Sequence, residues 1–252
     1  MIVLVTGASA GFGKEIARRF AREGHRIIAA ARRLERLRRL QEELGKFGEA
    51  LLPLCLDVTD KASVNAGLAG LPKEWQPVDI LVNNAGLALG VEPAHLASID
   101  EWETMIGTNN TGLVRMTRAL LPAMVERGRG HIVNLGSVAG ESPYPGGNVY
   151  GATKAFVEQF TRNLKADLAG TGVRVTTIAP GLCGGTEFSN VRYRGDDAAA
   201  ARVYEGAVPL TAADIAEAVF WVTTLPPHVN INHLEMMPVC QGYGAFNIKR
   251  DT

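Results

Sequence analysis

The chain has 252 residues, and its 26 Lys plus Arg balance 26 Asp plus Glu for a formal net charge of zero. That length fits one α/β domain over residues 1–252 with a sizeable core, and the balanced charge offers no footprint for nucleic acid or an anionic membrane. No run reaches the roughly 20 apolar residues of a membrane span, and the apolar run at the N-terminus is too short for a signal peptide, so a cytoplasmic protein is expected.

Short apolar, strand-like runs fall near 2–5, 26–31, 50–56, 79–82, 131–136, 173–178 and 233–237. Helical patterns lie between them near 11–23, 33–45, 60–70, 98–126, 149–169 and 211–224. Strand alternating with helix predicts α/β architecture, a single doubly wound parallel sheet of Rossmann type with helices on both faces. In such sheets ligands bind beyond the carboxyl ends of the strands.

The first strand runs into Gly7-Ala8-Ser9-Ala10-Gly11-Phe12-Gly13 and then a helical pattern. A strand, a glycine turn and a helix start let backbone N–H groups approach a pyrophosphate. The second strand ends Ala31-Arg32-Arg33. An NAD site usually has an acid here for the ribose 2′-hydroxyl; two guanidiniums suit a phosphate instead. The cofactor expected is therefore NADP, with Arg32, Arg33 and the Ser9 hydroxyl on its 2′-phosphate. The other arginines of the cluster, at 36, 38 and 39, read as a solvated face of a helix that buries Leu34, Leu37, Leu40 and Leu44.

Further along stand Asp57-Val58, Asn83-Asn84 and Asn109-Asn110, all at or beyond strand ends or in the long helical pattern. Turn chemistry and strand-to-strand hydrogen bonding are the alternative role for Asn83 and Asn84, and for Asn83 that reading is at least as strong as a cofactor contact. Ser137 follows the fifth strand, and Tyr150 and Lys154 are spaced one helical turn apart. A phenol is a poor base near neutral pH, but an ammonium on the same face favours phenolate, so Tyr150 is expected to act as general acid/base with its pKa lowered by Lys154. Ser137 can place a hydroxyl beside the phenol and stabilise charge on a substrate oxygen. These groups and the cofactor cover the acid/base and redox roles, so no metal is expected. The three cysteines, Cys55, Cys183 and Cys240, have no metal-ligand spacing and are expected to fill small buried apolar roles.

Residues 181–206 break the alternation and are expected to form a lid. Pro180, Gly181, Leu182, Cys183, Gly184, Gly185, Thr186, Glu187 and Phe188 would cover the nicotinamide, with Thr186 on its carboxamide. Arg192 and Arg194 are candidates to pair a substrate carboxylate. The tail from 239 to 252 either frays or packs on a neighbouring subunit.

Taken together, Thr6–Gly13, Asn83-Asn84-Ala85-Gly86, Asn109-Asn110-Thr111-Gly112, Ser137, Tyr150, Lys154 and Pro180-Gly181 resemble the short-chain dehydrogenase/reductase family over essentially the whole chain. The resemblance implies that Asp57 and Val58 contact adenine and that Asn84 walls the adenine ribose. It implies that Lys154 holds the nicotinamide ribose. It also implies that one of Asn109 and Asn110 holds a proton-relay water, the spacing to Gly112 favouring Asn109. The segments 87–90, 146–150, 184–192 and 228–232 are similar to the branch acting on small 3-hydroxy acids. Serine, L-allo-threonine and the 3-hydroxypropionate/malonic semialdehyde pair are the substrates this implies, and a homotetramer is the implied assembly. A reductase of bulkier carbonyls such as 3-ketoacyl groups or sugars is the alternative enzyme, and a cofactor-sensing scaffold the non-catalytic one.

Overall fold

The computed structural model describes residues 1–244. In chain order it contains β1 (Ile2–Thr6), α1 (Gly11–Arg22), β2 (Arg26–Ala31), α2 (Leu34–Glu43), β3 (Leu51–Cys55), α3 (Lys61–Ala69) and β4 (Ile80–Asn83). Then follow α4 (Ile99–Ile106), α5 (Leu113–Glu126), β5 (Gly130–Leu135), α6 (Asn148–Asp167) and β6 (Val173–Pro180). The last elements are α7 (Phe188–Arg192), α8 (Asp197–Arg202), α9 (Ala212–Thr224) and β7 (His233–Met236).

All seven strands join one parallel sheet in the order β3-β2-β1-β4-β5-β6-β7. Strand order reverses between β1 and β4, where a crevice opens at the carboxyl ends. Alternate strand residues face opposite layers, as a pleated strand requires. Val3, Val5, Ile27 and Ala29 pack with Ile16 and Phe20 of α1, Leu37 and Leu40 of α2, and Val219 and Val222 of α9. Leu4, Ile28 and Ala30 face Val64 of α3, Met116 and Met124 of α5, and Leu164 of α6. Each fully buried side chain of Leu or Phe size contributes about 1.5–3 kcal/mol, so both helical layers are firmly seated.

Three local features differ from the sequence expectation. The helix read as continuous over 98–126 contains a π-helical stretch at Gly107–Gly112 between α4 and α5. Such wide turns leave no hydrophobic-period signal but often sit at functional positions. Cys55 and Cys240 are exposed and Cys183 is only half-buried, so none fills the buried apolar role expected. Each lies where a strand or turn ends, not on an inward-facing strand position. The segment after β6 holds two short helices, α7 and α8.

Candidate active site

The glycine loop is fixed by its contact with β4. Gly7 (φ +67) and Gly11 (φ +52) adopt left-handed backbone that side chains disfavour. A Cβ on Gly13 would stand 2.5 Å from both Asn84 Nδ2 and the Gly7 carbonyl oxygen. Asn84 Nδ2 donates to the Thr6 carbonyl at 2.9 Å, while Thr6 Oγ1 accepts from the backbone N–H groups of Asn84 and Ala85 at 3.0 Å each. Ala10 supplies no side-chain cap to α1, so the amides of that helix start are free to meet an anion.

A cavity of about 710 Å³ extends from this loop across the carboxyl ends of the strands. Its wall includes Gly7, Ser9–Phe12, Arg32, Arg33, Asp57, Val58, Asn84, Ser137, Tyr150 and Lys154. Pro180–Cys183, Thr186–Phe188 and Arg192 close it from the side that follows β6. Ala8, Gly13, Asn109, Gly184 and Gly185 do not line it. Ala8 is fully buried, Gly13 packs under Asn84, and Gly184 donates to the Leu210 carbonyl at 2.8 Å. Gly185 borders a shallower depression on the outer side of the segment. These residues shape the chain around the cavity.

At one end, the Arg33 guanidinium donates to Ser9 Oγ at 3.1 Å and to Glu187 at 3.2 Å. Arg36 donates to the other oxygen of Glu187 at 2.5 Å. The two guanidiniums hold the Glu187 carboxyl below its usual range, the Arg36 hydrogen bond contributing most. The sequence pattern places Arg36 on a solvated helix face; only its helical spacing from Arg32 and Arg33 signals this position. Asp57 Oδ1 accepts from the Thr59 amide at 2.9 Å and from its hydroxyl at 2.7 Å, fixing the turn after β3.

At the other end lie the acid/base candidates. Ser137, in extended backbone after β5, accepts from the Ala139 amide at 3.1 Å and donates to the Pro180 carbonyl at 3.4 Å. Lys154 Nζ donates to the Leu135 carbonyl at 2.8 Å and stands 5.9 Å from the Tyr150 ring centroid. Burial pushes the Tyr150 phenol up to about 12, opposed by its hydrogen bond with Ser137 and by the Arg192 charge. Burial pushes Lys154 down to about 8, opposed by Glu158. The depression of Tyr150 by Lys154 expected from spacing is thus not found: desolvation outweighs every charge near the phenol.

The π-helical stretch brings both asparagines inward. Asn109 accepts from the Leu87 amide at 2.9 Å and donates to the Leu87 carbonyl at 2.9 Å and to Thr153 Oγ1 at 3.0 Å. Asn110 donates to the Thr153 carbonyl at 2.8 Å. A Cβ on Gly86 would meet Asn109 Oδ1 at 3.2 Å and Lys154 Nζ at 3.6 Å, so these two side chains share one glycine floor. Of the two, Asn109 is the one beside Lys154.

The residue 1–196 stretch matches the sequence model of the short chain dehydrogenase family. The chain belongs to that family. It is 63% identical over 250 residues to the NADP-dependent 3-hydroxy acid dehydrogenase of Escherichia coli K12, covering 99% of this chain and 100% of that protein. It is 49% identical over 250 residues to a serine 3-dehydrogenase of Rhizobium radiobacter, with 99% and 98% coverage. Among solved structures, the closed form of a serine dehydrogenase complexed with NADP+ superposes with a TM-score of 0.97 at 63% identity, with all of both chains covered. The Escherichia coli serine dehydrogenase superposes with a TM-score of 0.85 at 59% identity, covering 96% of this chain and 100% of that one.

The arginines of this short-chain dehydrogenase separate once their partners are known. Arg192, on α7, donates from Nε to the Gly90 carbonyl and from Nη2 to the Gly146 carbonyl, both at 3.2 Å. Its guanidinium carbon lies 5.8 Å from the Tyr150 ring centroid, inside the cavity. Arg194 is instead tied to Glu101 at 2.6 and 2.8 Å and to Glu92 at 2.6 Å, outside the cavity. Its hydrogen bond holds the Glu92 carboxyl down to about 2. Arg194 therefore drops out as a carboxylate partner.

The tail also departs from expectation. Gln241 Oε1 accepts from the Leu182 amide at 2.7 Å, and Met237 with Gln241–Gly244 lines the cavity. This part neither frays nor points away; the rest of the tail, 245–252, lies outside the described residues. Among those residues, no helix is long and apolar enough to cross a membrane. An anion-ready helix start and paired guanidiniums, both on one cavity of about 710 Å³, fit NADP.

Proposed function

We propose that this short-chain dehydrogenase is an NADP-dependent oxidoreductase acting reversibly on a small 3-hydroxy acid: serine, L-allo-threonine, or 3-hydroxypropionate with malonic semialdehyde in reverse. The observation that carries the substrate class is Arg192, a guanidinium held by two backbone carbonyls in the same cavity as Ser137, Tyr150 and Lys154. The names of the 3-hydroxy acid and serine dehydrogenase relatives support the same reading.

NADP+, when bound, would supply the acceptor for the hydride that leaves the carbinol carbon. Tyr150 takes the hydroxyl proton in oxidation and returns it in reduction. Ser137 donates to the substrate oxygen as charge develops there. Lys154 holds the nicotinamide ribose, and Asn109 positions the water that links Lys154 to solvent. Arg33 and Ser9 hold the 2′-phosphate with Arg32, while Asp57, Val58 and Asn84 form the adenosine wall. Pro180–Cys183 and Thr186–Phe188 would cover the nicotinamide, with Gly184 and Gly185 shaping the turn between them.

One domain with a lid at 181–206, cytoplasmic and free of nucleic-acid and membrane partners, completes the reading, with a homotetramer as its assembly. Phe156 of α6 and Ile106 of α4 are exposed and give an apolar surplus for subunit contact.

The substrate class is tested by comparing 3-hydroxypropionate with its methyl ester. The ester keeps the carbinol and loses the carboxylate charge, so kcat/KM should fall about ten- to hundredfold, the worth of a charge-assisted pair. Equal turnover of acid and ester, or preference for a 3-ketoacyl thioester in reduction, would sink the assignment.

A further inference from the structure

The end of α7 is built in a way that glycine normally serves. Tyr193 caps the helix, and Arg194 behind it is the one non-glycine residue among the described residues in left-handed backbone, with φ +53. A side chain there carries a steric cost, and such backbone persists only where surrounding contacts fix it. Here the contacts are charged. Arg194 Nε and Nη2 donate to the two oxygens of Glu101 on α4 at 2.6 and 2.8 Å, and Nη1 donates to Glu92 at 2.6 Å. A bidentate pair with a third charged contact holds better than an ordinary exposed ion pair.

The clasp closes around Gly90, in the loop that follows β4. A Cβ on Gly90 would stand 2.5 Å from Glu92 Oε2, 3.0 Å from Glu101 Oε2 and 3.2 Å from Arg194 Nη2, so the bare backbone is what lets these three meet. Arg192 grips the same glycine twice. Its Nε donates to the Gly90 carbonyl at 3.2 Å, and its own carbonyl accepts from the Gly90 amide at 3.0 Å. Arg192 lines the cavity, with its guanidinium carbon 5.8 Å from the Tyr150 ring centroid, while Arg194 stays outside. Two residues of chain and one shared glycine therefore join an outer clasp to an inner guanidinium.

We infer that Arg194 is a positioning residue: by clasping Glu92 and Glu101 it holds the end of α7 on the Gly90 loop and so fixes Arg192 where a substrate carboxylate would meet it. This rests on the 3-hydroxy acid reading and adds that carboxylate recognition depends on a contact outside the cavity.

The test uses Arg194→Gln, which removes the charge, and Glu101→Gln, which loosens the same clasp from α4. Each is assayed with 3-hydroxypropionate and its methyl ester, beside Arg192→Ala and the Arg192→Ala/Arg194→Gln double variant. Both clasp variants should raise KM for the acid by roughly three- to tenfold, with kcat and the ester each changing by less than about twofold. Because Arg194 acts through Arg192, the double variant should lose no more than Arg192→Ala alone. Losses that add in the double variant, or that strike acid and ester alike, would make the clasp a general support of the segment and overturn the inference. So would a wild-type KM in both clasp variants. Equal turnover of acid and ester by the wild-type enzyme would instead overturn the carboxylate reading itself, and this inference with it.

Discussion

The ammonium of Lys154 donates to the Leu135 carbonyl, 5.9 Å from the ring centroid of Tyr150, so the cation is anchored to the end of β5. With burial dominating, the phenol rests protonated and the lysine titrates near 8. The resting site is set to donate a proton to a carbonyl, and oxidation must first draw on the phenolate form.

This gives a pH dependence with a definite sign. Tyr150 is raised, so its phenolate fraction grows about tenfold per pH unit throughout the neutral range. Oxidation of 3-hydroxypropionate should accelerate as pH rises from 6 to 9, while reduction of malonic semialdehyde should not. Steady-state kcat/KM in both directions measures it. An oxidation rate flat across that window would mean that proton removal does not limit turnover.

Replacing Tyr150 with Phe should retain fold and NADP binding but reduce kcat by more than tenfold, about 1.4 kcal/mol or more of barrier. Lys154→Met should lose comparable activity and also weaken NADP. Isothermal titration of both variants separates the roles: unchanged NADP affinity in Lys154→Met would remove the ribose contact.

Arg33 meets Ser9 and Glu187, and Arg36 meets Glu187, at the end of the cavity proposed to take the 2′-phosphate. Neutralising Arg32 and Arg33 together should weaken NADP at least tenfold and NAD less than threefold, since only NADP carries the phosphate. Fluorescence titration with both cofactors reads the ratio. Equal losses would assign these arginines to the fold.

Glu158, one turn beyond Lys154, is buried with its Oε1 unpartnered among the described residues. Burial first, then Glu141 and Glu235, push its carboxyl up to about 7 against the pull of Arg162. His233 also faces Glu141, at 3.8 Å. A raised carboxyl binds more protons folded than unfolded, so its contribution is present below about 4.5 and lost as pH rises to about 7. Buried His131, lowered to about 3, has the opposite slope below 6.5. The difference between wild type and Glu158→Gln isolates the former: the variant should gain in relative stability between pH 5 and 7. Parallel melting curves across that range would contradict the shift.

Much of this was legible in the sequence because it depends on local pattern. The strand runs, the glycine turn and the Ser137, Tyr150 and Lys154 spacing depend on backbone conformation and helical period, which neighbours in the chain specify. What escaped depends on distant segments meeting. Tyr144 lines the cavity where Gly147 leaves room for its ring, and Arg192 meets it there from α7. Gln241 reaches Leu182 across 59 positions. Which apolar residues of the 149–169 pattern face outward is likewise set by packing: Leu164 and Leu168 lie beneath the sheet, while Phe156 stays exposed. The Tyr150 pKa departs from the spacing-based expectation because charge spacing is visible in a sequence and desolvation is not.

Asn84 clamps the glycine loop to β4, whereas Arg33 and Arg36 follow β2 and answer to Glu187. On the proposed reading, the pyrophosphate seat and the phosphate grip would therefore be separate modules on different strands. A protein engineer wishing to change the cofactor could rework the second without loosening the first, and directed libraries should concentrate on 33, 36 and 187 while leaving 7, 13 and 84 untouched.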